Sequence, residues 1–222
     1  MPEIGILGGS FNPPHAGHLA LARHARDELG LERVWLMPVH TPPHKPAGAD
    51  PGPEQRLAMA RLAVAGEPGI DVCEEEIRRG GPSYTADTLS AIHERHPEAQ
   101  LTFVVGADTA LTLPSWREPE RVLALARLAV ARRAGGADGG AGVLEAVEDL
   151  APPGSRRAGE TDGAGADVVF LEMAPVEASS TLARERIAAG EPTDGLLAPA
   201  VREYIDRHGF YRARQPGAEA QR

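Results

Sequence analysis

Cysteine is nearly absent from this chain of 222 residues, in which Cys73 stands alone. One cysteine cannot form an intramolecular disulfide, and it excludes a structural zinc site built on several thiolates. Aromatic residues make up only 4% of the sequence. No run approaches the roughly 18 uncharged apolar residues that a membrane-spanning helix needs, and the N-terminus shows no secretory signal pattern. We therefore expect a cytoplasmic protein with no membrane partner.

Net positive charge is lacking as well, since the formal net charge is -9. A broad nucleic-acid footprint needs clustered basic residues, so we expect no nucleic-acid partner and only a few local phosphate contacts. Two familiar phosphate motifs are also missing. The chain contains no G-x-x-x-x-G-K-[ST], and its early glycines do not fit G-x-G-x-x-G. These absences disfavour a P-loop ATPase and a dehydrogenase.

What the chain does contain is an alternation of apolar, strand-length runs with helical patterns. The apolar residues, 42% of the sequence, are Ala, Leu and Val more than aromatics. This pattern predicts an α/β fold with a Rossmann-like, doubly wound parallel sheet. The predicted strands are 3–7, 33–39, 70–74, 101–105, 127–131 and 167–171. The predicted helices are 17–28, 53–66, 83–95, 118–126, 144–150, 181–189 and 199–207.

Length and composition predict a single domain over residues 1–211. Segments 135–142 and 152–165 are rich in Gly, Ala, Pro and charge and lie on either side of a short helical pattern. We interpret 134–166 as a flexible surface insertion. Residues 212–222 are expected to form a disordered tail.

The most informative stretch, GGSFNPPHAGH, runs from Gly8 to His18 and joins the first predicted strand to the first predicted helix. Its paired glycines allow a tight turn and close approach of the backbone to a ligand. His15 and His18 lie near the predicted helix start, where the helix dipole favours anions. The stretch therefore predicts a phosphate site, the alternative being a sharp turn with exposed histidines.

A second stretch, SSTLAR, begins a predicted helix near the C-terminus. Ser179, Ser180 and Thr181 are good N-cap residues, and Arg184 follows one turn into the helix. Backbone N–H groups and a guanidinium can then meet one anion. Alone, the stretch is more typical of an ordinary capped helix with a surface arginine.

Together, the two stretches resemble the H-x-G-H and S-S-T-x-x-R motifs of the nucleotidyltransferase superfamily, whose members attach a nucleoside monophosphate from ATP or CTP to a phosphate and release pyrophosphate. Four intervening features resemble the bacterial nicotinate mononucleotide adenylyltransferases of that superfamily. They are P-P-H-K at 42–45, S-Y-T-x-x-T-L at 83–89, G-x-D at 106–108 and Trp116. The C-terminal residues 201–211 also resemble that group.

The resemblance implies adenylyl transfer from ATP to nicotinate mononucleotide, giving deamido-NAD and pyrophosphate, with Mg²⁺ held through ATP phosphates and water. It implies a catalytic set of His15, His18, Lys45 and Arg184. The implied ATP-binding residues are Gly8, Gly9, Ser10, Phe11, His15, His18, Gly106, Asp108, Ser179, Ser180, Thr181 and Arg184. The implied residues for the mononucleotide are Asn12, His44, Lys45, Thr85 and Trp116, and no residue is assigned as a direct metal ligand.

Several alternatives stay open from the sequence. Another adenylyl- or cytidylyltransferase, such as the one acting on phosphopantetheine, shares the two outer motifs. A nucleotide-binding regulator without catalysis is a second alternative. A metal site at His15, His18, His40 and His44 is a weaker one, because phosphate handling also explains Lys45 and Arg184. Preference for nicotinate over nicotinamide, and a homo-oligomeric state, are not determined.

Overall fold

The computed structural model describes residues 1–42, 49–133, 139–148, 150 and 167–212. Within them, six strands form one parallel sheet in the order β3-β2-β1-β4-β5-β6. The strands are β1 (Glu3–Gly9), β2 (Arg33–Pro38), β3 (Ile70–Val72), β4 (Gln100–Gly106), β5 (Arg127–Arg133) and β6 (Val168–Met173). The predicted doubly wound α/β sheet is confirmed.

Helices cover both faces of this sheet. They are α1 (Ala16–Leu29), α2 (Pro53–Val64), α3 (Glu75–Arg79), α4 (Thr85–Arg95), α5 (Ala107–Ala110), α6 (Pro119–Leu125), α7 (Gly139–Glu148), α8 (Ser180–Ala189) and α9 (Pro199–His208), with a 3₁₀ turn at Leu113–Ser115. No helix in the described ranges is long and apolar enough to cross a membrane.

Alternate residues of the central strands enter different cores. Ile6 of β1 and Phe103 of β4 pack with α4, α6 and α7, whereas Leu7 and Val104 pack with α1. A third core joins α2, α8 and α9. Because both faces are covered, the central strands are continuously apolar, as the sequence predicts.

The segment expected to be a flexible insertion contributes to the core where it is described. Helix α7 begins at Gly139, within the stretch 135–142 that the sequence predicts to be irregular. Val143 and Val147 lie one turn apart and are fully buried against the sheet. Their apolar contacts extend the helix beyond the predicted 144–150 pattern, despite the glycines in its first turn.

The strand order locates the ligand-binding edge. The chain builds outward from β1 to β2 and β3, and then returns to place β4 on the other side of β1. In open α/β sheets, ligands bind beyond the carboxyl ends of the strands at this change of direction. The turns after β1 and β4 therefore face the expected site.

Candidate active site

A cleft of about 410 Å³ opens at the carboxyl ends of β1 and β4. Gly8 and Gly9 end β1 and line this cleft together with Ser10, while Asp108 lines it from α5. The volume falls in the range of small-molecule sites. The cleft therefore lies where the strand order predicts ligand binding.

The far side of the cleft is formed by the start of α4 and by Trp116. Thr85 is the first residue of α4, so the first-turn N–H groups of that helix are located beside the cleft. The Trp116 indole Nε1 donates to Thr112 Oγ1 at 3.0 Å, and its ring lies edge-to-face on Phe103 with centroids 6.0 Å apart. These contacts fix an aromatic surface in the cleft wall.

His15 and His18 lie at the start of α1, where His15 is the N-cap residue. The backbone N–H of His15 donates to His18 Nδ1 at 3.2 Å. A neutral His18 therefore carries its proton on Nε2. The two imidazole centroids are 3.7 Å apart, and burial lowers the pKa of His15 to about 4. Near pH 7, His15 is thus a neutral imidazole.

Phe11 packs its side chain against His18 and does not line the cleft. Its backbone is left-handed, with φ 47°, and its side chain is fully buried. The ring lies edge-to-face on His18 at 4.8 Å between centroids. Phe11, which was predicted to bind ATP, can therefore offer a ligand only its backbone, because its side chain is inside the core.

The two motifs meet through hydrogen bonds to the turn after β1. Arg184 Nη1 donates to the backbone oxygen of Asn12 at 2.8 Å, and Ser180 Oγ donates to that of Pro13, also at 2.8 Å. Ser179 caps α8 by accepting the Leu182 N–H at 3.0 Å. The amino ends of α1 and α8, two histidines and an arginine are thereby gathered at one side of the turn, an arrangement that favours an anion.

Gly17 allows this close approach. A Cβ atom at this position would lie 3.1 Å from Nδ1 of the His15 ring and 3.4 Å from the backbone oxygen of Ala178. The first contact is tighter than ordinary van der Waals distance. The glycine between the histidines thus lets the His15 ring lie against the start of α1.

Arg56, which the sequence analysis did not identify, joins the turn after β1 to the turn after β2. Its guanidinium is fully buried and donates to four oxygens. These are Asp50 Oδ1 at 3.0 Å and the backbone oxygens of Ser10 at 3.0 Å, Val39 at 2.6 Å and His40 at 2.9 Å. The sequence does contain a signal for its burial, because Arg56 lies on the same face of α2 as the small apolar residues Ala60 and Ala63.

Glu76 is the second residue that the sequence did not indicate. This carboxyl is 2% exposed yet lines the cleft, and its Oε1 accepts from Thr88 Oγ1 at 2.8 Å. Burial raises the pKa of Glu76 above its usual range. Nearby, Ser83 Oγ accepts the His40 N–H at 2.8 Å, which ties the start of α4 to the turn after β2.

The predicted residues thus fall into two adjoining groups. Gly8, Gly9, Ser10, Thr85, Asp108 and Trp116 line the cleft. The group of His15, His18, Asn12, Ser180 and Arg184 surrounds the continuation of the same turn, and Thr181 Oγ1 accepts from Arg184 Nη2 at 3.2 Å. Gly106 ends β4, next to Asp108. His44 and Lys45 lie outside the described residues.

Tyr211 closes the turn from the C-terminal side. Its hydroxyl donates to Asn12 Oδ1 at 2.5 Å, and Asn12 Nδ2 donates to the backbone oxygen of Ala49 at 3.2 Å. Burial raises the pKa of Tyr211. The Asn12 side chain, predicted to contact the mononucleotide, is therefore engaged by protein groups on both of its polar atoms.

Metal-ligand clusters can be judged only where side chains are described. In those ranges, no group of three or more His, Cys, Asp or Glu side chains could hold a metal ion. The alternative four-histidine site includes His44, which lies outside those ranges. It therefore stays a prediction.

Comparisons with known proteins agree with this geometry. The sequence model of the cytidylyltransferase-like family matches residues 6–186. A protein of Aeromonas salmonicida named "Probable nicotinate-nucleotide adenylyltransferase" is 43% identical over 218 residues, which cover 95% of this chain and 97% of that protein. A protein of Laribacter hongkongensis with the same name is 42% identical, over 96% of each chain.

Solved structures match the fold over nearly its whole length. The nicotinic acid mononucleotide adenylyltransferase of Plasmodium falciparum, solved in complex with NaAD, superposes with a TM-score of 0.73 at 17% identity, covering 95% of this chain and 98% of that one. A crystal structure from Vibrio parahaemolyticus, described as that of "a Putative Nicotinate-nucleotide Adenylyltransferase", gives a TM-score of 0.63 at 18% identity, over 96% of each chain. At these identities, the likeness concerns the fold.

Proposed function

This chain belongs to the cytidylyltransferase-like family, and from that membership we propose that it transfers the adenylyl group of ATP to nicotinate mononucleotide. The products are deamido-NAD and pyrophosphate, so the reaction is a step of NAD biosynthesis. One observation carries the proposal: Arg184 and Ser180 of the second motif hydrogen-bond the turn that bears His15 and His18. The names of relatives that are 33–43% identical to this chain support the same activity.

In the proposed reaction, a 5'-phosphate oxygen of the mononucleotide attacks the α-phosphorus of ATP in line. A new phosphorus–oxygen bond forms as the bond from the α-phosphorus to the β-phosphate oxygen breaks, and the electron pair leaves with pyrophosphate. No covalent bond to the protein is needed. Catalysis then consists of positioning the two phosphates and stabilising negative charge.

The histidines are assigned to the α-phosphate because of their hydrogen-bonding state. The Nδ1 of His18 accepts from the protein, so a neutral His18 carries its proton on Nε2, and this N–H is assigned to a phosphate oxygen. His15, whose pKa is lowered to about 4, is a neutral imidazole that can also donate one hydrogen bond. Arg184 and Lys45 are assigned to the triphosphate, where fixed positive charge opposes its charge.

The cleft is assigned to the pyridine mononucleotide and the adjoining nucleotide end. Trp116 offers its ring face to the pyridine, while Thr85 offers a helix N-terminus to the pyridine substituent. Asp108 is assigned to a ribose hydroxyl or to a water bound to Mg²⁺. The ion itself is assigned to ATP phosphate oxygens and water, where it neutralises phosphate charge.

The test supplies ATP and Mg²⁺ with nicotinate mononucleotide and phosphopantetheine together, and identifies the products. Deamido-NAD and pyrophosphate are expected. Adenylylated phosphopantetheine would favour the sister activity, and ATP binding without pyrophosphate release would favour a regulator. His18→Ala should lower kcat at least about 100-fold, since it removes a charge-stabilising donor. His93→Ala, at an exposed position of α4, is the control.

The setting of the enzyme is part of the proposal. We infer that residues 1–211 act as one nucleotidyltransferase domain in the cytoplasm, with ATP and nicotinate mononucleotide as its small-molecule partners. The net charge of -9 supports the absence of a nucleic-acid partner. Whether the enzyme forms a homo-oligomer would be measured by sedimentation.

A further inference from the structure

Arg117 is the one cationic side chain among the described residues that line the cleft. It follows Trp116 directly, and its guanidinium carbon lies 4.7 Å from the centroid of the Tyr84 ring. Tyr84 in turn precedes Thr85 at the start of α4. The guanidinium is therefore next to the groups assigned to the pyridine ring and its substituent.

Apart from Tyr84, the other ionisable side chains among the described residues that line the cleft are carboxyl groups. Glu76 and Asp108 both contribute carboxyl groups to its lining. Without a cation, such a cleft would disfavour a carboxylate ligand and accept a neutral amide more readily. Arg117 supplies the opposing charge at the rim.

The ion pairs that Arg117 makes with the protein are long. Its Nη1 lies 3.5 Å from Asp87 Oδ2 and its Nε lies 3.5 Å from Glu118 Oε1, both at the long limit of a hydrogen bond. Arg121 makes the shorter contact with Glu118, at 2.9 Å, and also lies 3.8 Å from Asp87. The two acids thus have a second cation, and Arg117 can turn its donors to a ligand.

We propose that the Arg117 side chain determines the preference for an acid over an amide at the pyridine, by pairing with the nicotinate carboxylate. The inference rests on the proposed function and adds a specificity-determining residue to it. A planar guanidinium matches a carboxylate with two parallel N–H donors, whereas a carboxamide offers one neutral oxygen and its own N–H groups. The N-terminus of α4 favours the same anion from the other side.

The experiment compares kcat/KM for nicotinate and nicotinamide mononucleotides in the wild type and in Arg117→Gln, Arg117→Lys and Arg121→Gln. Arg117→Gln should lower kcat/KM about tenfold for the acid, mainly through KM, and less than twofold for the amide. Arg117→Lys should restore most of the acid activity because it keeps the charge. Arg121→Gln is the matched control, since Arg121 contacts the same acids without lining the cleft, and it should leave the ratio unchanged.

Each other outcome is decisive as well. An acid-to-amide ratio in Arg117→Gln equal to that of the wild type overturns the inference alone. Equal losses on both substrates also overturn it, because Arg117 would then only support Tyr84. A wild type that adenylylates neither mononucleotide overturns the proposed function, and the inference with it.

Discussion

Replacing Arg56 with methionine should destabilise the protein by about 3–5 kcal/mol, because several backbone oxygens would lose the buried donor that satisfies them. The magnitude follows from its contacts. The guanidinium is fully buried, and methionine would leave Asp50 without its 3.0 Å partner. It would also take a donor from three backbone oxygens in the turns after β1 and β2, a loss of roughly 1–3 kcal/mol wherever a buried oxygen stays unpaired.

Urea unfolding of Arg56→Met and the wild type would measure this difference, with the slope of free energy against denaturant checked for equality. Arg61→Met, in the same helix, is the control. Arg61 is 55% exposed and pairs with Glu74 at 2.5 Å, so its loss should cost less than about 1 kcal/mol. Arg56→Lys should fall between the two, because it keeps the charge but has fewer donors. A cost below about 1 kcal/mol for Arg56→Met would refute the reasoning.

Two further predictions concern His15 and Lys45. Because burial lowers the pKa of His15 to about 4, from an unfolded value of 6.5, the unfolded chain binds more protons between these pH values. His15 therefore lowers the free energy of unfolding as pH falls from 6.5 to 4, by about 3 kcal/mol at pH 4. His15→Gln should remove this pH dependence from unfolding curves of the free protein. A pH dependence equal to that of the wild type would contradict the lowered pKa of His15. Lys45 is the only lysine of the chain, so an amine-selective reagent modifies one side chain besides the N-terminus. Modification of Lys45, measured by peptide mass spectrometry, should abolish adenylyl transfer. Saturating ATP should slow the modification of Lys45. Full activity after complete modification would show that Lys45 has no part in the mechanism.

The fold could be predicted from the sequence because uninterrupted apolar runs indicate the strands and helical spacing of apolar residues indicates the longer helices. The central strands are buried on both faces, so their apolar character does not depend on register. Helices α3 and α5 were missed, since five and four residues are too short to show a helical period. The start of α7 was missed because its glycines resemble a loop, while the apolar contacts of Val143 are visible only in three dimensions.

Residues of the candidate site could be predicted from the sequence only where a residue type in its local pattern has one common chemical role. Two histidines beside a glycine turn predict phosphate handling, whereas the sequence does not show that the Phe11 ring is buried against His18. Its left-handed backbone turns the ring inward, and no local pattern signals that. Arg56 and Glu76 sit in charged stretches that resemble solvated helix faces, so their burial depended on distant turns that the sequence does not bring together.

The order of the two motifs along the chain has a consequence for how this enzyme is made. The turn bearing His15 and His18 leaves the ribosome first, but the donors from Arg184 and Tyr211 come from residues synthesised some 170 and 200 positions later. A nascent chain therefore carries the histidines, and the Arg56 contact to Ser10, long before the hydrogen bonds from Arg184 and Tyr211 can form. We therefore expect the complete arrangement of histidines and arginine around the turn only after α8 and Tyr211 have been synthesised.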